Sequence, residues 1–363
     1  MDDLIPGLPE DLARECLVRV GFEQLPVARC VSRKWKAEVE SPFHHSLRRP
    51  RRLLAFAQAR PPLADSGPAH KYAASAASSY RLVLHDPDAG TWATLPPPLP
   101  GGLSLFCQLA AVGEGPGRKL VVLGGWDPET WAPTGAVYVY DFLAGCWRRG
   151  AEMPGPRRSF FACAADAAGG RVFVAGGHDE EKNALRSAAA YDAEADTWVP
   201  LPDMARERDE ARGLFVGGRF LVLGGYPTEA QGRFAGSGEA FDAVAWSWGA
   251  VQESMLEEGA CPRTCCAAPS AARNRMYMLR DGQVVARELD GGAWRQVARV
   301  PEDGRAVTAV AAIGDGRVVV VGSACHGAEQ AVYVLSENEA RLSWARAPAP
   351  PEFAGHIQAA CSV

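Results

Sequence analysis

Lysine is scarce in this chain of 363 residues: five of its 38 basic residues are lysines and the other 33 are arginines. Only Lys71, Lys119 and Lys182 lie beyond residue 60. The composition matches a GC-rich coding sequence. A basic excess is missing too, since the net charge is −5, and this argues against a general affinity for nucleic acid. No apolar run approaches the ~20 residues that a membrane-spanning helix needs. The N-terminal MDDLIPGLPED is acidic and has no apolar signal core. Asn-x-Ser/Thr sites are absent and the ten cysteines are scattered. They read as reduced thiols, and the expected location is cytoplasmic and/or nuclear. Cys261, Cys265 and Cys266 lie close together, but no second Cys/His pair completes a metal site. Glycine pairs end apolar runs without opening a helix, so no phosphate loop or nucleophile elbow is present. Neither a metal, a cofactor nor a catalytic residue is expected.

What the chain has in quantity is a repeat. A carboxylate, five intervening residues and a tryptophan recur as Asp86/Trp92, Asp141/Trp147, Asp192/Trp198, Asp242/Trp248 and Glu288/Trp294. Asn338/Trp344 keeps the spacing with an amide. The tryptophans stand 55, 51, 50, 46 and 50 residues apart, a period of repeated supersecondary units. Three units share more than that. LVVLGG (120–125), VFVAGG (172–177) and FLVLGG (220–225) are apolar runs closed by a glycine pair, and they read as buried strands. VYVYD (137–141), AAAYD (188–192) and GEAFD (238–242) follow, each leading through a tight turn to the tryptophan. Glycine admits sharp turns and close strand approach, and the acidic residue can accept from turn amides. Tryptophan supplies an apolar plate for packing between sheets. Four short antiparallel strands per unit, repeated radially, make a β-propeller blade.

Six tryptophans predict six blades. Ahead of Asp86/Trp92 stand only LLAFAQA (53–59) and YRLVLHD (80–86), so HIQAACSV (356–363) is expected to supply that blade's missing strand. Closure from both ends leaves no open sheet edge. The intervening PPLADSGPAHKYAASAASS (61–79) is expected to be a mobile surface loop. The glycine pair is missing after MYML (276–279) and reduced to one glycine in VVVVG (318–322), yet those blades are expected to form. This grammar resembles the kelch repeat over residues 53–363 and implies a mainly β fold, a six-bladed kelch propeller.

Residues 1–50 do not follow the repeat. Leu12, Cys16, Leu17 and Val20 have helical spacing, and Leu8-Pro9 with Glu10 and Asp11 suits a helix start. Val27, Val31 and Trp35 form a second stripe. So short a module has little core of its own. LP-x-x-L followed by LPVARCVSRKWK resembles an F-box, through Leu8, Pro9, Leu12, Cys16, Leu17, Leu25, Pro26, Val31, Ser32 and Trp35. The resemblance implies docking to a Skp-family adaptor, and through it a cullin, by helix packing without chemistry. The chain is then a non-catalytic substrate-recognition subunit of an SCF-type ubiquitin ligase. For such an adaptor, few lysines also mean few sites of self-ubiquitination.

Strand order makes the glycine-pair loops share a face with the loops between blades. These are the long ones: 126–135, 178–187 and 226–238. Long loops on a rigid scaffold carry binding. The candidates for target binding are Trp126, Asp127, Trp131, Arg157, Arg158, Phe160, His178, Glu180, Glu181, Arg206, Arg208, Asp209, Glu210 and Tyr226. Trp, Tyr and Arg are the types enriched at hot spots. GGWDPETW, MPGPRRSFFACA, AGGHDEEKNAL and LPDMARERDE resemble the plant kelch F-box subfamily that targets phenylalanine ammonia-lyase, some members of which are nicknamed Kiss Me Deadly. The resemblance implies negative regulation of phenylpropanoid synthesis. Type-B cytokinin response regulators or chalcone synthase are alternative clients. The competing class is a glycan-processing propeller enzyme, suggested only by DPDAGTW (86–92), which is one residue short of a sialidase Asp-box.

Overall fold

A computed structural model describes all residues except 1–2, 22–23, 49–51, 61–79, 99–101, 258, 270–273, 290, 314–315, 326–327 and 339–340. The expected loop at 61–79 lies outside the described residues. Six four-stranded antiparallel sheets are arranged as blades. Blade 1 comprises Ile357–Ser362, Leu54–Ala59, Tyr80–Asp86 and Thr91–Thr94, in that order from the axis. Blade 2 holds Gln108–Val112, Lys119–Leu123, Val137–Asp141 and Cys146–Gly150. Blade 3 holds Ala162–Asp166, Arg171–Ala175, Ala188–Asp192 and Thr197–Leu201. In blade 4 Arg212–Val216, Arg219–Leu223 and Gly238–Asp242 are followed by the short Ser247–Trp248. Blade 5 has Cys265–Pro269, Asn274–Arg280, Gln283–Glu288 and Arg295–Arg299. Blade 6 has Ala306–Ala312, Val318–Ser323, Gln330–Asn338 and Arg341–Ala347. The innermost strands touch their neighbours all round, with Ile357–Ser362 seated between those of blades 6 and 2. The degraded fifth and sixth units still form blades, because their apolar strands persist.

The core lies in the six seams between blades. The repeated tryptophan ties each seam. Trp147 Nε1 donates to Pro96 O at 2.8 Å, Trp198 to Ala151 O at 2.8 Å and Trp248 to Pro202 O at 2.7 Å. Trp344 and Trp92 donate to Arg299 O and Pro348 O, both at 3.0 Å. Each acceptor follows the tryptophan of the preceding blade by four or five residues. Trp294 is the exception: its Nε1 is buried with no partner among the described residues. The corresponding carbonyl, Gln252 O, already accepts from Gly238 N at 2.9 Å. The repeated aspartates hold the turns. Oδ1 of Asp86, Asp141, Asp192 and Asp242 accepts from amides two or three residues on, at 2.7–3.0 Å.

Four helices precede the ring: α1 (Glu10–Val18), α2 (Leu25–Ala28), α3 (Arg33–Val39) and α4 (Pro42–Leu47). Ser32 Oγ caps α3 by accepting from Trp35 N at 3.1 Å, and Ser41 Oγ caps α4 at His44 N at 3.1 Å. Leu25, Ala28 and Val39 form a small core with Val20, Trp35 and Leu143, the last belonging to the propeller. Pro26 lies over Gly145, in a turn of blade 2. A Cβ there would stand 2.5 Å from Pro26 Cβ, so glycine is required by contact as well as by its φ of +67°. Helix α4 reaches the neighbouring turn at Gly115–Gly117. The module is thus seated on the short-turn face of blade 2, opposite the long loops.

Candidate functional site

The molecule presents two separate surfaces. On the helical module, Leu8, Leu12, Val27, Val31, Phe43 and Leu47 are exposed. Leu12 is 51% exposed, Val27 66% and Val31 58%, although all three sit on or beside helices whose opposite faces are buried. Pro9 and Cys16 are exposed too. Two expected docking residues are not on this surface. Leu17 and Leu25 are 1% exposed and belong to the interior of the module. Pro26 is engaged with Gly145, and Trp35 Nε1 donates to Leu4 O at 2.7 Å. These residues shape the surface without forming it. Val27, absent from the expected set, is its most exposed apolar residue; its place in the Val27/Val31/Trp35 stripe was the available signal.

On the loop face, two of the arginines at blade starts, Arg158 and Arg208, are buried instead of facing a partner. Arg158 is buried, and its guanidinium donates to Gly176 O at 3.1 Å, Ser187 O at 2.9 Å and Ser187 Oγ at 2.8 Å. Arg208, 1% exposed, repeats the pattern one blade on, with Gly224 O at 2.7 Å and Ser237 O at 3.1 Å. It also forms a buried ion pair with Glu239 at 3.1 Å. Burial pushes the Arg158 pKa down to about 10 and lowers that of Arg208 despite the Glu239 charge. These two side chains clamp the glycine-pair loops to the blades. Gly176 shows how tight the clamp is, since a Cβ there would stand 2.3 Å from Arg208 O. His178, Asp209 and Tyr226 are likewise buried, with His178 Nδ1 and Asp209 Oδ2 2.9 Å apart. Arg158 and Arg208 are scaffold, because carbonyls at loop corners need internal donors once water is excluded, and the buried side chains of His178 and Asp209 are held by each other.

The remaining candidates do face outward. Phe160 and Trp126 lie together, with centroids 6.2 Å apart, and Trp126 Nε1 donates to Ser159 Oγ at 2.5 Å. Phe106 completes the cluster at 5.3 Å from Phe160. Trp131, in the same loop as Trp126, is 58% exposed, and its backbone N donates to Asp127 O at 2.8 Å. Lys182 Nζ lies 4.8 Å above the Trp126 ring and the Arg263 guanidinium 5.8 Å from Phe160. Glu210 pairs with Arg263. Arg157, Glu180 and Glu181 are exposed, Asp127 caps its own loop through Glu129 N and Thr130 N at 2.9 Å, and Arg206 is bound to Glu253. Phe106, Trp131, Phe160, Lys182 and Glu210 all have φ between +52° and +67°. Such backbone costs a non-glycine residue on the order of 1 kcal/mol and gathers at functional sites. Phe106, Phe160 and Glu210 occupy the same position, two residues before the inner strand of blades 2, 3 and 4. That spacing would have found Phe106, which the sequence reading missed.

The two surfaces are joined through the ring by a channel of about 940 Å³ along its axis. Phe106, Phe160, Glu210 and Arg263 line the loop-face mouth, and His45, Arg48 and Arg52 the end beneath the helices. Among the described residues, no group of three or more His, Cys, Asp or Glu is placed to hold a metal ion.

The chain matches a family model described as F-box domain over residues 5–46, and one described as Kelch motif over residues 114–154 and 159–205. Among curated proteins it is similar to F-box/kelch-repeat protein At1g80440 of Arabidopsis thaliana, 42% identical with 99% of each chain covered. F-box/kelch-repeat protein At1g15670 of the same plant is 38% identical, again with 99% of each covered. A third, F-box/kelch-repeat protein At2g44130, is 38% identical over 77% of this chain and 72% of its own.

Proposed function

The chain belongs to the plant F-box/kelch-repeat protein family, and from that premise we propose that it is the substrate-recognition subunit of an SCF-type cullin–RING ubiquitin ligase. An F-box implies binding to a Skp-family adaptor, and a kelch propeller implies a protein target. Members of this family are generally non-catalytic adaptors. The observation that carries the reading is geometric. The exposed apolar helices sit on the short-turn face, and the aromatic, positive-φ loops stand on the opposite face of one rigid ring. One molecule can then hold a ligase by one end and a target by the other. The work of such an adaptor is proximity: it raises the effective concentration of target lysines near the charged conjugating enzyme. No side chain here has to act as acid, base or nucleophile.

The target reading is narrower. The loop strings around Trp126, Arg157, His178 and Arg206 support phenylalanine ammonia-lyase as client and restraint of phenylpropanoid synthesis as outcome. The alternative clients stay type-B cytokinin response regulators and chalcone synthase. The contact surface is the outward set, Trp131, Phe106, Phe160, Trp126, Arg157 and Arg263, with the exposed Glu180 and Glu181 at its rim. The test is capture of purified phenylalanine ammonia-lyase by the full chain bound to its Skp adaptor. Trp131→Ala with Phe106→Ala should weaken capture at least tenfold, the loss of two hot-spot aromatics. Absence of capture by the wild-type chain removes this client and leaves the adaptor role to be judged on Skp binding. The working location is the cytosol or nucleus, to be checked by imaging the tagged full chain.

A further inference from the structure

We propose that the axial channel binds a carboxylate, with Arg212 as its anchor. Arg212 begins the inner strand of blade 4, two residues below Glu210 at the mouth. At the rise of an extended strand that is roughly 7 Å into the channel. Its Nε donates to Cys265 O in blade 5 at 3.1 Å, and its Nη2 approaches Val310 O in blade 6 at 3.4 Å. Blade 5 stands between blades 4 and 6, so the guanidinium runs along the lumen side of the inner strand of blade 5 as far as blade 6. Three of its five N–H groups have no acceptor among the described residues. They include both hydrogens of Nη1.

The surroundings leave the charge without an answer. The carboxylate at the mouth, Glu210, is already paired with Arg263. The other carboxylate side chain of the lining, Glu114, lies at the far end, in the turn beneath the helices. Much of the wall around Arg212 is small and neutral, with Ala164, Ala309 and Ala360 beside Cys163 and Cys266. Burial pushes both thiols up to about 12, so they stay protonated and contribute no negative charge. A partly buried cation held only by two carbonyl oxygens gains from a charge-assisted partner. The free edge of the guanidinium is planar and forked, the geometry that accepts a carboxylate bidentately. Arg48, Arg52 and Arg118 line the end of the channel beneath the helices, so Arg212 is the cation nearest the loop-face mouth that no carboxylate pairs among the described residues. The mouth adds Phe106 and Phe160, an apolar collar for whatever flat or aliphatic group carries the carboxylate.

Two sources can present this chemistry: a free small carboxylate, or an acidic side chain projecting from a bound protein. The test titrates the full chain, by calorimetry and by thermal shift, with benzoate against benzamide. Acetyl-Ala-Glu-Ala-amide is run against its glutamine counterpart. Benzoate should bind and benzamide should not; binding of the glutamyl peptide as well would assign the site to a side chain. Arg212→Gln should weaken carboxylate binding at least tenfold, and Arg212→Lys should bind less tightly than wild type because it lacks the fork. Equal binding of acid and amide, no binding of either carboxylate, or unchanged binding by a folded Arg212→Gln variant overturns the proposal. If Arg212→Gln does not fold, the wild-type comparison of acid with amide decides.

Discussion

Each repeated tryptophan both fills a seam and carries a hydrogen bond across it, and Trp294 does only the first. That difference is measurable. Trp198→Phe removes the bond to Ala151 O, whereas Trp294→Phe removes a buried N–H that has no partner among the described residues. Denaturant unfolding of the full chain should show Trp198→Phe as the more destabilised by about 1 kcal/mol. Equal losses would mean that the seam bond contributes nothing. The neighbouring arginines separate in the same way. Arg208→Leu removes the ion-pair partner of the buried Glu239, leaving it the backbone amides of Ala205 and Arg206, and should cost about 3 kcal/mol. Arg157→Leu should stay within about 0.5 kcal/mol, as exposed substitutions do. Sequence composition does not distinguish Arg157 from Arg158, because both are the residue type expected at hot spots. The period does: Arg158 and Arg208 recur fifty residues apart, while the counterpart of Arg157 is Glu207. Arg158 and Arg208, which recur, are buried, whereas Arg157, whose counterpart differs, is exposed.

Among the elements, the strands were readable from glycine pairs and continuous apolar runs because the second and third strands of a blade are buried on both sides by adjacent blades, as Lys119–Leu123 and Val137–Asp141 are. The helices were readable from their stripes, but which residues of a stripe point outward was not. A module this small splits its apolar residues between its own core, the propeller turn at Leu143–Gly145 and a free surface, and all three uses look alike in sequence. Helix α4 carries a consequence of that packing. His44 is fully buried, both ring nitrogens lack partners among the described residues, and its pKa falls to about 4 through burial, then Arg48 and His45, against the opposing Glu38 charge. A lowered pKa means that the unfolded state takes up the proton first as pH falls. The module should therefore be unaffected above pH ~6.5 and lose stability progressively from there to pH ~4, by at most about 3 kcal/mol. Thermal melts of the full chain across that range, repeated with His44→Leu, check this; the variant should show a flatter acid limb. An unchanged limb would assign the acid sensitivity to other groups.

The whole molecule is a ring with an apolar, exposed helical module on one face and the long loops on the other. Ring closure through Ile357–Ser362 was legible because an incomplete first unit and an unassigned last strand are complementary. The side on which the helices sit was not legible, since it depends on the contact of Pro26 with a turn that carries no unusual motif. The lysine deficit takes a place at this scale as well. Of the three lysines beyond residue 60, Lys119 is bound to Glu194 and Lys182 lies over Trp126, while Lys71 is outside the described residues. Restoring lysines at exposed arginines such as Arg157 and Arg186 should shorten the half-life of the adaptor in cells with an active ligase. An unchanged half-life would leave base composition as the reason.

The most direct measurement on the central claim is co-purification of the full chain with a Skp-family adaptor. Wild type is compared with Leu12→Asp, Val27→Asp and Val31→Asp combined, three exposed changes that leave the interior of the module untouched. The wild-type chain should form a stoichiometric complex, and the variant should lose it while keeping the far-UV spectrum and melting temperature of the propeller. Undiminished complex formation by the variant, or none by the wild type, would contradict the assignment of this face to the ligase.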